Sequence, residues 1–453
     1  MKAIAASALT AAVLASSALA GKANSVKFKT NKIAPITVKG NAFWNGKERF
    51  YLRGIDYQPG WSSNLKDPIA EPRICKRDIA KFKELGVNTI RVYSVDNSVN
   101  HDECMEALAD AGIYLALDVN TPKYSLSRTD PNNSYNAAYL QNVFATVEMF
   151  AKYDNTLAFF SGNEVINDGN SSKAAPYVKA VTRDIHKFLH SRNMRSVPVG
   201  YSAADVDTNR VHLAQYMNCG SGDERSDFFA FNDFSWCDPP SVEKSGWDKK
   251  VQAFTGYGIP LFLSENGCNR SEHNWNEVTA LYSSNITSVF SGGLVYEYSP
   301  EPDNFGLVQL KDGKLTKLPD FDKLKEAFAN AKTPSGDGGF NKTGGANPCP
   351  KKDVPNWYVG DEALPTMPEG AKIYLLRGAG DGVGFAGNGS QTAGSGSPGP
   401  GSGANGVKAG QPFALNTQGA AAGLRPPKIA SAFLLCSIVV GASKLFGVSL
   451  IVV

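Results

Sequence analysis

From residue 50 to residue 331 the chain alternates two hydrophobic patterns. Eight short runs are rich in β-branched, aromatic and aliphatic residues: FYLRGIDY (50–57), VNTIRVYSV (87–95), IYLALDV (113–119), TLAFFSGNEV (156–165), SVPVGYSA (196–203), FFAFNDF (228–234), PLFLSENG (260–267) and GGLVYEYS (292–299). Between them lie longer stretches whose apolar residues recur at helical spacing. Ile79, Phe82 and Leu85 in RDIAKFKELG form one such stripe, and AYLQNVFATVEMFAKY carries another; these stripes are read as faces packed on a sheet. Eight strands with intervening helices predict an α/β fold, a (β/α)8 TIM barrel. A doubly wound open sheet is the rival fold. It calls for a glycine-rich phosphate loop after an early strand, and the sequence has none there.

The pattern changes after Thr333. PSGDGGFNKTGGANPCP is glycine-rich and carries Cys349, a short segment with Trp357 and Tyr374 follows, and AGNGSQTAGSGSPGPGSGANG reads as a disordered stalk. The expected organisation is a catalytic domain over 21–333, a short C-terminal extension packed on the barrel over 334–380, and a Ser/Gly/Pro-rich stalk over 381–419. Both ends look like processing signals. Residues 1–20 have the charged start, apolar middle and Ala18-Leu19-Ala20 exit of a secretory signal peptide. Residues 420–453 pair a polar spacer with an apolar tail after small residues, the arrangement of a glycosylphosphatidylinositol (GPI) attachment signal, with Gly419 as the favoured attachment residue and Asn405 as the alternative. Lys444 within the tail argues against a stable membrane span.

Removing both ends takes away Lys2, Arg425, Lys428 and Lys444 and no acidic residue, so the formal charge moves from +3 to −1. No nucleic-acid partner is expected from that balance. Cys436 leaves with the tail, and six cysteines remain to pair in an oxidising compartment. Their spacing fits no zinc site and histidines number only five, so neither metal nor cofactor is expected. Asn-X-Ser/Thr acceptors at Asn132, Asn170, Asn269, Asn285, Asn341 and Asn388 agree with secretion.

Functional groups of such a barrel sit at the C-terminal ends of its strands, where Glu164 closes the fourth run and Glu265 the seventh. Two strand-end carboxyls facing one cleft suggest glycoside hydrolysis. With retention of configuration the two stand about 5–5.5 Å apart, one attacking the anomeric carbon while the other protonates the departing oxygen. Asn163 is placed to hydrogen-bond a sugar 2-hydroxyl. Taken singly, a strand-end glutamate is more often a salt-bridge or capping residue than a catalyst; it is their joint placement that points to catalysis. Glu297 and Glu301 are the competing carboxyls.

The motifs LRGIDYQPG, NTIRVYSVD, SGNEVIND, FLSENGCN and GGLVYEYS, with the cysteine layout and the tail, resemble the fungal β-1,3-glucanosyltransferases of glycoside hydrolase family 72, the Gas/Gel/Phr group. The resemblance covers almost the whole chain, in the subgroup without a cysteine-rich carbohydrate-binding module. Asn266 stands where the family usually carries tyrosine. The resemblance implies that Glu164 is the acid/base and Glu265 the nucleophile. It further implies that Tyr93, Asn163, Asp205, Arg210 and Tyr296 line a glucan cleft, with the loop from Asn120 to Arg128 as a further contact. It suggests disulfides Cys75–Cys104, Cys219–Cys349 and Cys237–Cys268. The implied activity is transfer of a cleaved β-1,3-glucan donor to the 3-hydroxyl of an acceptor β-1,3-glucan, by a monomer held to the outer leaflet of the plasma membrane or residing in the cell wall. A hydrolytic β-1,3-glucanase, and a wall protein that binds glucan without turnover, are the alternatives. As residues alone, Asp205 and Arg210 also read as an ion pair at the start of a helix.

Overall fold

The computed structural model describes residues 33–60, 64–237, 241–269, 273–300, 305–391 and 393. The signal peptide, the attachment residues Gly419 and Asn405 and the 420–453 tail lie outside the described residues. A small antiparallel sheet comes first, made of β1 (Thr37–Lys39), β2 (Ala42–Asn45) and β3 (Glu48–Phe50). Eight parallel strands then close into a barrel: β4 (Leu52–Asp56), β5 (Thr89–Val92), β6 (Tyr114–Asp118), β7 (Thr156–Asn163), β8 (Val199–Ala204), β9 (Phe228–Asp233), β10 (Leu261–Asn266) and β11 (Phe290–Val295). Each overlaps an expected run, and β11 pairs with β4 to close the ring. An antiparallel pair, β12 (Val308–Lys311) and β13 (Lys314–Lys317), follows.

The small sheet was not foreseen, and it forms the floor of the barrel. Phe43 from β2 lies 6.2 Å from Phe228 and 5.9 Å from Phe262, both in the lumen. Phe160 meets Phe228 edge-on at 5.3 Å. Ring centroids at these separations are in the favourable tilted and edge-to-face range, and the cluster extends through Phe50, Leu52, Tyr114 and Leu294. The outer helices pack as their stripes predict: in the helix Pro72–Leu85, Ile79, Phe82 and Leu85 are buried, and Gly86 ends it in the left-handed conformation a helix C-terminus favours.

Three disulfides join Cys75 to Cys104, Cys219 to Cys349 and Cys237 to Cys268. The second ties the extension to the segment after the helix Arg210–Met217, where Asn218 also bonds Gly345 and Asn347. The extension then climbs the outside of the barrel. Trp357 is fully buried against His212 and Tyr216, and Tyr374 packs on Phe144.

Packing does not stop at residue 380. The Gly384 amide donates to Asn97 at 2.9 Å, Lys123 donates to the Phe385 carbonyl at 2.7 Å, and Gln391 reaches Ser125 at 2.8 Å. Residues 381–391, expected as stalk, therefore form a strap on the loop that runs from Asn120 to Arg128. Their glycines serve close approach: a Cβ on Gly384, which sits at φ +59°, would meet Asp96 at 2.2 Å, and one on Gly387 would meet the Tyr124 hydroxyl at 2.3 Å.

Candidate active site

Above the phenylalanine floor the lumen turns polar. Arg91 on β5 is fully buried, with its guanidinium 4.5 Å from the Phe160 ring below and 4.2 Å from the Tyr93 ring. It makes a two-pronged ion pair with Asp118 at the end of β6, at 2.8 and 3.1 Å. Its remaining nitrogen reaches the Glu265 carboxyl and the Ser264 carbonyl, each at 3.2 Å. The Tyr93 hydroxyl donates to the same Glu265 oxygen at 2.9 Å. Glu265 thus takes two donors, one of them cationic, while only 6% exposed. Burial pushes its pKa up to about 8, opposed by Arg91 and reinforced by Glu164; Tyr93 also pulls it down.

Glu164 stands across the lumen, just beyond β7. Its backbone adopts φ +47°, a left-handed conformation uncommon for a residue with a side chain. Both of its backbone groups are anchored: the amide donates to the Ser202 carbonyl at 2.9 Å, and the carbonyl accepts from Arg128 at 2.6 Å. Its carboxyl receives one neutral donor, the Asn232 amide at 2.8 Å. Burial raises its pKa, while Asn232, Arg91 and Arg128 oppose the rise. Non-glycine residues in such backbone regions concentrate at functional sites.

A polar lattice links the two carboxyls. Ser202 donates to Asn163 at 2.7 Å and shares a 2.8 Å bond with Ser264. Asn232 accepts from Ser264 at 2.9 Å and donates to Asn163 at 3.3 Å as well as to Glu164. Strand irregularities aim the carboxyls. Strict alternation from the lumen-facing Phe262 and Ser264 would send Glu265 outward, but pairing of β10 with β9 slips between Leu263 and Glu265; pairing of β7 with β8 slips between Phe160 and Asn163. Such bulges redirect side chains beside active sites.

The remaining expected residues divide. Tyr296 is buried in an aromatic trio with Phe234 and Phe305, at 5.8 and 5.3 Å. Arg128 comes to the site, through the Glu164 backbone rather than its carboxyl. Asn120 keeps a buried side-chain oxygen without a hydrogen bond. Asp205 and Arg210 pair with each other just past β8. Arg210 also binds Asp207 at 2.6 Å, and Asp205 takes Lys250 at 2.7 Å. Asn266 donates to the Leu294 carbonyl at 2.6 Å, and it is Tyr93 that presents a phenol to Glu265. Glu297 is fully buried.

Arg91, Asp118, Asn232, Phe234 and Phe305 were not anticipated. For the first two a signal existed: each is a lone charge within an otherwise apolar strand run, TIRV and YLALD. Among the described residues no cluster of His, Cys, Asp and Glu is grouped to hold a metal ion. The arrangement can do acid/base and nucleophilic chemistry with two carboxyls set apart by their donors.

Residues 25–332 match the glycoside hydrolase 72 family, described as glucanosyltransferase. The chain is 66% identical over 381 residues to the 1,3-beta-glucanosyltransferase gel1 of Aspergillus fumigatus, covering 84% of both chains. It is 50% identical over 381 residues to the 1,3-beta-glucanosyltransferase GAS5 of Saccharomyces cerevisiae, covering 83% of this chain and 78% of that one. Among solved structures it resembles Saccharomyces cerevisiae Gas2p in complex with laminaritriose and laminaritetraose, with a TM-score of 0.70 and 37% identity over 76% of this chain and 79% of the other.

Proposed function

This chain belongs to the glucanosyltransferase family of glycoside hydrolase 72 and is a 1,3-β-glucanosyltransferase; we propose that Glu265 and Glu164 divide its chemistry as nucleophile and acid/base. The Glu265 carboxylate attacks the anomeric carbon of a β-1,3-glucan donor. The glycosidic bond breaks, and Glu164 gives its proton to the departing oxygen. The product is a glycosyl-enzyme ester on Glu265. Glu164, now ionised, takes the proton from the 3-hydroxyl of an acceptor glucan, whose oxygen attacks the anomeric carbon and releases Glu265. One β-1,3 bond is broken and one formed, so the acceptor is elongated without net hydrolysis.

The observation that carries this division is the unequal supply of donors. Arg91 and Tyr93 converge on Glu265 and favour its ionised form, whereas Glu164 has one neutral amide and is held up by burial. Burial raises both carboxyls, and it is the two donors on Glu265, one of them a guanidinium, that support reading Glu164 as the holder of the single proton the pair needs. Asn163, held by Ser202 beside Glu164, is read as the partner of the sugar 2-hydroxyl. Tyr296, Phe234 and Phe305 offer an apolar surface of the kind a pyranose ring packs on. A thousandfold preference for sugar over water needs about 4 kcal/mol of differential transition-state free energy.

The enzyme is further read as secreted and lipid-anchored on the outer face of the plasma membrane, acting as a monomer. The terminal segments 1–20 and 420–453 support that reading, as do three disulfides, which persist in oxidising compartments. The test of the activity is product sizing on one defined β-1,3-glucan oligosaccharide. Shorter and longer products with little new reducing sugar are expected; only shorter products across several chain lengths would establish a hydrolase instead.

A further inference from the structure

Asp56 ends β4, and its side chain is completely buried. It pairs in register with Arg91 on β5, and around its carboxyl stand Arg91 and Tyr93 from β5, Asp118 from β6 and Glu265 from β10. One guanidinium thus faces three carboxyls. Every nitrogen of Arg91 is engaged elsewhere: two on Asp118, and the third on Glu265 and Ser264. No well-formed hydrogen bond reaches either Asp56 oxygen, although Tyr93 is close enough to interact with it. An ionised carboxylate in that position would be buried without a cation of its own, at a cost of several kcal/mol. Burial accordingly pushes its pKa well above the ordinary carboxyl value, reinforced by Glu265 and Asp118 and outweighing the pull of Arg91 and of Tyr93. A neutral carboxyl has a proton to donate. Tyr93 has already directed its own proton to Glu265, and its oxygen, reached by Arg91 at 3.5 Å, keeps a second lone pair to accept another.

We propose that Asp56 is a positioning residue that acts as a neutral acid, donating to the Tyr93 hydroxyl and thereby committing the Tyr93 proton to Glu265. The chain Asp56 to Tyr93 to Glu265 polarises in one direction, and each donor strengthens the next. In the glycosyl-enzyme step it holds the Glu265 oxygen that Arg91 also holds, so the nucleophile has one fixed rotamer. The inference deepens the proposed function, because it rests on Glu265 being the ionised partner.

Two experiments on the full-length enzyme test it. Infrared difference spectra at neutral pH read protonated carboxyls directly through their C=O stretch. In a Glu164→Gln background, which removes the general acid, adding Asp56→Asn is expected to abolish one carboxylic-acid band, and adding Glu265→Gln is expected to abolish none. Loss of the band on Glu265→Gln, with none lost on Asp56→Asn, overturns the proposal. In the second experiment, Asp56→Asn keeps a neutral donor and is expected to retain kcat to within about threefold. Asp56→Leu has no donor and is expected to lose roughly tenfold or more in kcat with KM little changed. A fall in Asp56→Asn to the level of Glu265→Gln means that a negative charge, not a donor, is needed there, and also overturns the proposal. Should Asp56→Leu fail to fold, the spectra and the amide variant still decide. The two arms fail separately: a band lost on Glu265→Gln overturns the ionised Glu265 on which the proposed division of labour rests, and an unchanged band on Asp56→Asn overturns the neutral Asp56 itself.

Discussion

The floor and the mouth of this barrel are equally buried and are built from opposite materials. At the floor, Phe43, Phe160, Phe228 and Phe262 pack ring against ring; at the mouth, Arg91, Asp118, Ser202, Ser264 and Glu265 are hidden to nearly the same degree. Burying the first set is favourable at roughly 25 cal/mol per Å2 of apolar surface. Burying the second is unfavourable unless each polar group finds a partner, and the lattice from Arg91 through Ser264, Asn232 and Asn163 supplies those partners. Phe160 belongs to both regions, since the Arg91 guanidinium rests on its ring. The difference separates stability from chemistry: changes at the floor are expected to unfold the enzyme, and changes at the mouth to disable it while it stays folded.

The sharpest separation comes from the carboxyls. Glu265→Gln and Glu164→Gln are each expected to lose two to four decades of kcat or more with no loss of melting temperature. Near-normal turnover by either folded variant would place the chemistry elsewhere, with Glu297 next to test. At the floor, Phe43→Ala touches no polar group of the site. Denaturant unfolding should show a loss of about 3–5 kcal/mol, with kcat of the folded fraction close to that of the wild type. A large kcat defect at low temperature, where the variant is folded, would break the comparison.

Asn232→Ala probes the mouth more gently. The amide favours ionised Glu164, so its removal raises that pKa further, and because the acid must be protonated in the first step, the alkaline limb of kcat/KM should move to higher pH. The accompanying loss of rate is about tenfold; a limb that moves to lower pH would contradict the assignment of Glu164 as acid. The smallest effect is expected at the strap. Gly387→Val drives a side chain into Tyr124 on the loop that carries Arg128, and Arg128 holds the Glu164 carbonyl. A fall of roughly two- to tenfold in kcat with little change in melting temperature is the expected outcome.

The barrel was legible because each strand is a short apolar run ended by turn residues, and the helices between them carry single stripes. Glu164 and Glu265 were legible as strand-end carboxyls. How Glu265 comes to face the lumen was not, since a strict period of two from Phe262 sends it outward and only the slip against β9 turns it in. The floor sheet escaped notice because strands of three and four residues leave too few positions for a pattern. Residues 381–391 escaped for a different reason: glycine that permits close approach to Asp96 and Tyr124 looks, in composition, the same as glycine that permits disorder. Asp205 and Arg210 were legible as an ion pair, which they form, with Lys250 beside Asp205, at the same end of the barrel as the two glutamates.

The division of labour between the two carboxyls is tested most directly by trapping the intermediate. A β-1,3-glucan oligosaccharyl fluoride with fluorine in place of the reacting sugar's 2-hydroxyl should glycosylate the enzyme and release it slowly, since contacts at that hydroxyl stabilise the transition state. Digestion and mass spectrometry of the quenched protein should then find the oligosaccharyl mass on the peptide carrying Glu265. An adduct on the peptide carrying Glu164 or Glu297, or an inactivated enzyme whose Glu265 peptide is unmodified, would contradict the account.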